Sequence, residues 1–285
     1  MRRDVRPTSG SVRRSDLRVL GAALTLIGAA LGTDAAAAPE RVVSLNVCTD
    51  QLAHLLAAPG QLVSVSSLAH DPRSSAYAEA LQGIPANGGG AEEVVLLEPD
   101  LILAGTFTTL ATVQMLEGLG HEVALFGPVT SLEDVTDNMA RMGTLLGREA
   151  QAEQLIAEFE RALRALPPLS DGPRTLLYYP MGSTSGRGTM ADALLQAAGL
   201  TNIAAEMGLR FGTLHLEEAV LSAPDLILTP APYARPTRAT DLPGHPALRQ
   251  VAPVHRIEAG AAWSCETPAL LDAIADLRAL AEELE

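Results

Sequence analysis

The sequence contains no lysine; all 20 of its basic residues are arginines. That is a compositional bias of the source rather than a mechanism. Basic residues are also outnumbered by 34 acids, for a formal charge of −14. This is the wrong sign for a nucleic-acid binder, which carries a basic stripe. Aromatic residues make up only 3% of the chain, so few flat side chains exist to grip a ligand. There are two cysteines, Cys48 and Cys265, and no C-x-x-C or other metal-ligand spacing. G-x-S-x-G, P-loop and H-E-x-x-H patterns are missing, and with them the usual catalytic constellations. Gly88-Gly89-Gly90 lacks the G-x-G-x-x-G spacing of a phosphate-binding turn. Beyond the first 38 residues no apolar run approaches membrane-spanning length.

What is present begins at the N-terminus. Six arginines between Arg2 and Arg18 precede the apolar stretch 19–32, and Ala35–Ala38 form an A-x-A type cleavage site before Pro39. The apolar run is too short to span a bilayer comfortably, so residues 1–38 read as a secretory signal peptide and the mature chain as periplasmic. Arg13-Arg14 resembles a twin-arginine signal only faintly, because Asp16 stands where an apolar residue is expected. Removing this segment takes away six arginines and three acids and leaves a still more acidic chain.

Hydrophobic residues are 47% of the 285, enough for a sizeable core. Short apolar strands at 41–45, 62–66, 100–104 and 122–126 alternate with helical stretches, the pattern of a parallel, doubly wound sheet. The alternation then stops. Ser131 with Asp134 can form a capping box, and 132–166 reads as helix interrupted near Gly143 and Gly147. Its second part is about 28 Å long. Strands at 175–179, 225–229 and 254–258 resume the pattern, and a closing helix spans 267–284. The expected fold is therefore α/β: two Rossmann-like lobes with central parallel sheets, at 39–130 and 169–285, joined by one long backbone helix within 131–168, with a ligand cleft between them. An internal repeat supports two related lobes. Residues 92–103 (EEVVLLEPDLIL) and 217–228 (EEAVLSAPDLIL) agree at nine of twelve positions.

This order of signal peptide, lobe, long helix, lobe and paired E-x-x-x-x-x-x-P-D-L units resembles the helix-backbone class of periplasmic solute-binding proteins of ABC importers. Residues 41–57 are similar to that family's first strand and helix, 62–72 to its second, and 185–204 to a segment of its second lobe. The resemblance implies a binding protein rather than an enzyme, with no cofactor of its own, acting as a monomer. It would deliver a metal chelate (a ferric siderophore, corrinoid or haem) to an inner-membrane permease with a cytoplasmic ATPase. It also implies one permease-docking glutamate per lobe, at Glu92 and Glu217, with adjacent Glu93 and Glu218 able to share the role.

Ligands of open α/β sheets sit beyond the carboxyl ends of the strands. The candidate ligand-binding residues there are Asn46, Cys48, Thr49, His70, Thr106 and Phe107 in the first lobe. In the second they are Tyr179, Arg187, Arg210, Phe211, Trp263 and Cys265. The arginines suit anionic groups, and Phe211 and Trp263 suit a flat apolar face. Positions where vitamin B12 receptors clamp the corrin with aromatics are here Leu68, Ala86 and Gly105, which disfavours cobalamin itself. Cys48 and Cys265 face the same cleft and leave three readings: a disulfide that locks the lobes, metal ligation together with His70, or two inert thiols. The rival function is an exported two-lobed α/β enzyme, or a metal-ion-binding protein with no transporter partner.

Overall fold

The computed structural model describes residues 37–166, 172–231, 237–257, 260–265 and 267–284. The signal-peptide reading at 1–38 falls almost wholly outside them. Two parallel sheets form the framework. The first contains β1 (Val42–Ser44), β2 (Leu62–Ser66), β3 (Ala86–Asn87), β4 (Leu101–Gly105) and β5 (Val123–Phe126), in the order β3-β2-β1-β4-β5. The second contains β6 (Arg174–Leu177), β8 (Thr201–Asn202), β10 (Leu226–Pro230) and β11 (Val254–Ile257), in the order β11-β10-β6-β8. Between β6 and β8 in sequence lies β7 (Ser183–Ser185), which pairs antiparallel with β9 (Phe211–Thr213). β4 and the Leu226–Leu228 start of β10 are apolar runs because each is an interior strand of its sheet, buried along its length.

The short edge strands β3 and β8 and the β7–β9 pair are additions to the expected pattern. Two or three residues are too few to show a period of two.

The connecting region differs from a single interrupted helix. Two separate helices, Leu132–Leu146 and Glu149–Ala165, pack against each other. Ser131 and Asp134 cap the first with the expected reciprocal bonds. The Thr130 N–H above all, followed by the Thr130 hydroxyl and Ser131, holds the Asp134 carboxyl below its usual range. Gly147 ends it in the left-handed conformation, φ 65°, with Arg148 N–H donating to Gly143 O at 2.7 Å. Gly143 is needed for another reason: a Cβ there would overlap the Ala152 methyl of the second helix. Val135, Met139, Met142, Leu146, Ala152 and Phe159 of this pair join Leu103 of the first sheet and Leu177 and Leu228 of the second in one buried cluster. The helix pair is thus the shared core of both lobes.

The repeat is duplicated in three dimensions. Each copy is a short helix, Ala91–Val95 or Leu216–Leu221, followed by a turn with positive φ at Glu98 (47°) or Ala223 (48°). Asp100 accepts the backbone N–H of Arg41 at 3.0 Å, and Asp225 accepts that of Arg174 at 2.9 Å. The guanidinium of Arg41 donates to the carbonyls of Leu97 and Glu98, and that of Arg174 to those of Ser222 and Ala223. The arginines therefore satisfy carbonyls that the helix ends leave unpaired. Arg41 directly precedes β1 and Arg174 opens β6, the first strand of each lobe, and both are far from the repeat in sequence.

Candidate functional site

The two sheets present carboxyl-terminal ends to a common seam. At the end of β1, Asn46 caps the helix Val47–Leu56, its side chain accepting from Cys48 N–H at 2.9 Å. This fixes Cys48 at the start of the helix. Gly105, at the end of β4, leaves room for the cap: a Cβ there would stand 2.8 Å from Asn46 Nδ2. From the other lobe, the short helix Gly260–Ser264 after β11 carries Trp263 and leads to Cys265. Cys48 and Cys265 form a disulfide with Cα atoms 4.9 Å apart, across a sequence separation of 217. Of the three readings of these cysteines, the lock between lobes is the one found.

Beside the disulfide is a cavity of about 200 Å³ lined by both lobes. Six candidates line it: Asn46, Cys48, Thr106, Phe107, Trp263 and Cys265. Sequence reasoning passed over Met190, Phe126 and the turn Gly127–Val129, which complete the wall. Phe126 follows from strand β5, but only the sheet order puts β5 beside β4 at this edge. A larger cavity of about 500 Å³ is lined by the second lobe alone. It offers no contact through which a ligand would couple the two lobes, so the smaller, shared cavity is the candidate site.

The remaining candidates go elsewhere. Thr49 is buried and bonded to Ser44 Oγ and Asn46 O, a structural role. His70 shares a hydrogen bond between Nε2 and the Leu81 carbonyl at 3.0 Å. Tyr179 packs against the core, its phenol pushed up to about 12 by burial against the opposing hydrogen bond with Ser185. Arg187 follows β7 on an exposed turn, and Arg210 and Phe211 are exposed at the start of β9, the guanidinium 5.8 Å from the ring centroid. None of these six lines the shared cavity.

The metal set Cys48, His70 and Cys265 is corrected. Both sulfurs are consumed by the disulfide, and His70 is engaged with a carbonyl. No group of three or more His, Cys, Asp or Glu suited to a metal ion occurs among the described residues.

Tyr77 was not anticipated. It belongs to the first lobe but hydrogen-bonds Thr267 and Ala269 of the second, and, like Trp263, it packs against the cluster of Ala262, Ala269 and Ala273. Burial raises its pKa above the ordinary value. With the disulfide it ties the lobes together.

Beneath the first-lobe wall lies Asp50. It is buried, and accepts from Ser66 N–H at 3.1 Å and Ser66 Oγ at 2.5 Å. Desolvation raises its pKa to about 6, against the lowering effect of hydrogen bonds from Ser44 and Ser66. Ser66 ends β2 where the chain turns into 67–70, so this carboxylate braces the strand end that leads to Leu68 and His70.

The acids of the repeat divide their labour. Glu93 Oε2 accepts Gly88 N–H and Glu218 Oε2 accepts His215 N–H, both at 2.7 Å. These second glutamates are helix caps. Glu92 and Glu217 are exposed, with no hydrogen bond or ion pair among the described residues.

Two α/β lobes, a shared helical core and a small cavity across their strand ends define a two-lobed solute-binding protein. The periplasmic binding protein family matches residues 42–254, and the chain belongs to it. A cobalamin-binding protein of Halobacterium salinarum is 32% identical over 198 residues, 67% of this chain and 54% of that protein. This chain thus spans about half the length of that curated relative. Among solved structures, a periplasmic heme-binding protein from Pseudomonas aeruginosa is 22% identical with a TM-score of 0.66, covering 85% of this chain and 92% of that one. The molybdate periplasmic binding protein of Haemophilus influenzae is 18% identical with a TM-score of 0.65, covering 86% and 87%. The relatives named here are binding proteins, not enzymes. No helix among the described residues is long and apolar enough to cross a membrane.

Proposed function

We propose that the mature chain is the periplasmic substrate-binding component of an ABC importer. It takes a metal-chelate ligand at the shared cavity and delivers it to an inner-membrane permease. The observation that carries this reading is the cavity, walled by the strand ends of both lobes in a chain of the periplasmic binding protein family. A chelate is favoured over a bare ion because the described residues supply no cluster of metal donors; the ligand brings its own. Its outer surface would meet Phe107, 86% exposed at the rim, and Trp263. Related proteins are named for cobalamin, vitamin B12, heme and molybdate.

The cavity is smaller than the roughly 300–1,000 Å³ of typical ligand pockets. A corrin or haem would therefore sit partly at the rim, in contact with Phe107, rather than be enclosed. Residues 1–38 act as the export signal in this reading, and the division at 39–130, 131–168 and 169–285 separates lobe, connector and lobe. Glu92 and Glu217 are the docking acids, one per lobe, free to pair with arginines of the permease.

Trp263 is the sole tryptophan and lines the cavity, which provides the test. The mature protein is titrated with cyanocobalamin, hemin and a ferric siderophore while Trp263 emission and visible absorption are followed. Saturable quenching with a one-to-one end point supports the chelate reading and names its class. No response to any chelate, with molybdate adding mass in native mass spectrometry, replaces it with an oxyanion. No response to any of them overturns it.

A further inference from the structure

The cavity of about 500 Å³ in the second lobe differs in chemistry from the shared one. No charged side chain lines the shared cavity, whereas Arg249 and Arg256 both line the larger one. The sheet explains how it arises. Alternate residues of a strand share a face, and the register pairs Ile227 with Val254 and Thr229 with Arg256. These four residues therefore stand on one face of β10 and β11. The short helix Pro246–Val251 covers only the first pair, through Leu248, which joins Ile227 and Val254 in one hydrophobic cluster. Thr229 and Arg256 are left to line the cavity, and Arg249, next after Leu248, brings a second guanidinium to it. His255, between Val254 and Arg256, carries its side chain on the other face of β11.

Three polar groups at this wall have no partner among the described residues. Thr229 is only 3% exposed, yet its hydroxyl makes no hydrogen bond there. A buried hydroxyl left unpaired costs stability. The guanidiniums of Arg249 and Arg256 make no hydrogen bond or ion pair either, in a chain where acids outnumber arginines by 34 to 20. Other arginines are put to use: Arg41 and Arg174 clamp turns, and Arg73 and Arg164 pair with acids. Asp241 is the acid on this wall and is equally unpaired, so two cations stand against one anion. The volume falls within the roughly 300–1,000 Å³ of small-molecule pockets and far exceeds what a single inorganic anion fills. Guanidiniums take carboxylates through paired N–H donors. Two of them, one on a helix and one on a strand, suit a molecule with a carboxylate for each.

We propose that this cavity is a second ligand site, for a small organic polycarboxylate. Arg249 and Arg256 each take one carboxylate, and the Thr229 hydroxyl donates to one of them. The site belongs to one lobe, so it stands independently of the chelate at the shared cavity.

The full mature protein is titrated calorimetrically in metal-free buffer with succinate, with tricarballylate and with inorganic phosphate. Saturable one-to-one binding of a carboxylate is expected, with phosphate at least 10-fold weaker. Arg249→Gln, Arg256→Gln and Thr229→Val should each weaken it by ~10-fold, the scale of one hydrogen bond to a charged group. Both arginines are exposed, so their replacement should leave thermal unfolding unchanged. The bound carboxylate should also shield Arg249 and Arg256 from phenylglyoxal, read by peptide mass spectrometry, while Arg187 and Arg210 react as before. No saturable binding of either carboxylate would overturn the proposal. So would phosphate binding as tightly, affinity within twofold of the parent in both arginine variants, or shielding of Arg187 and Arg210 instead.

Discussion

The outer faces of the two lobes are alike and their cleft faces are not. Residues 92–100 and 217–225 share sequence, exposure pattern, left-handed turn and arginine clamp. At the strand ends nothing is shared beyond the parallel geometry. The first lobe brings an Asn-capped helix, a buried Asp50 and Phe107; the second brings a β-ribbon, Met190 and Trp263. A partner with two equivalent halves would hold the outer faces to one design. A ligand without that symmetry would let the inner faces diverge, since each lobe meets a different side of it.

The largest effect expected from testing this comparison comes from cutting the tie between the lobes. Closing a loop of this length restricts the unfolded chain, so Cys48→Ser with Cys265→Ser should lower stability by about 5 kcal/mol. Urea unfolding of the oxidised and reduced protein measures it. If the lobes are held mainly by the shared helical core, the weakened protein still unfolds in one transition. Two separate transitions would show that the disulfide, rather than that core, makes them one unit.

Next comes a property of the first lobe alone. Asp50 has a folded pKa of about 6 against an ordinary 3.8, so the folded state holds its proton more tightly than the unfolded one. Its contribution to stability is therefore full below about pH 4 and is lost as pH rises through about 6, by about 3 kcal/mol. Asp50→Asn should remove that loss, so its stability gain over the parent grows between pH 4 and 7. Equal differences at both pH values would mean that the carboxylate is not desolvated.

The clamps set the two lobes directly against each other. Arg41→Ala and Arg174→Ala should each cost about 1–2 kcal/mol in chemical denaturation, since each leaves two carbonyls without their guanidinium donor. Arg174 also pairs with Glu206 at 3.0 Å, but both side chains are about two-fifths exposed, so the second lobe should lose only slightly more. The smallest effect belongs to the caps. Glu93→Ala and Glu218→Ala should each cost about 0.5–1 kcal/mol, and a much larger loss in one would show that the repeats are not equivalent.

Much of this was legible in the chain. β1, β2, β4, β5, β6, β10 and β11 are short apolar runs bounded by turns, and each emerged within a residue or two of its expected place. The capping box at Ser131 and the break at Gly147 were visible because both depend on local backbone geometry. The cavity was half legible. Asn46, Cys48, Thr106, Phe107, Trp263 and Cys265 follow from the rule of strand ends. Thr49, His70 and Tyr179 do not line it, because the rule gives position along the chain, not the direction of a side chain. Residues one apart on the helix after β1 point differently, so Cys48 reaches the cavity while Thr49 turns inward to Ser44. Tyr77 carried no local signal, since its partners Thr267 and Ala269 lie almost two hundred residues away.

By itself, then, the sequence determined the two lobes, the helical connector, the duplicated unit and the acids on it. These rest on periodicity and on residues within a few positions of one another. The tertiary structure alone decided the pairing of Cys48 with Cys265, the clamps of Arg41 and Arg174, and which glutamate of each pair is free. The first two join segments dozens to hundreds of residues apart. The last turns on whether one carboxylate can reach a backbone N–H, a matter of a few ångströms that residue type does not encode.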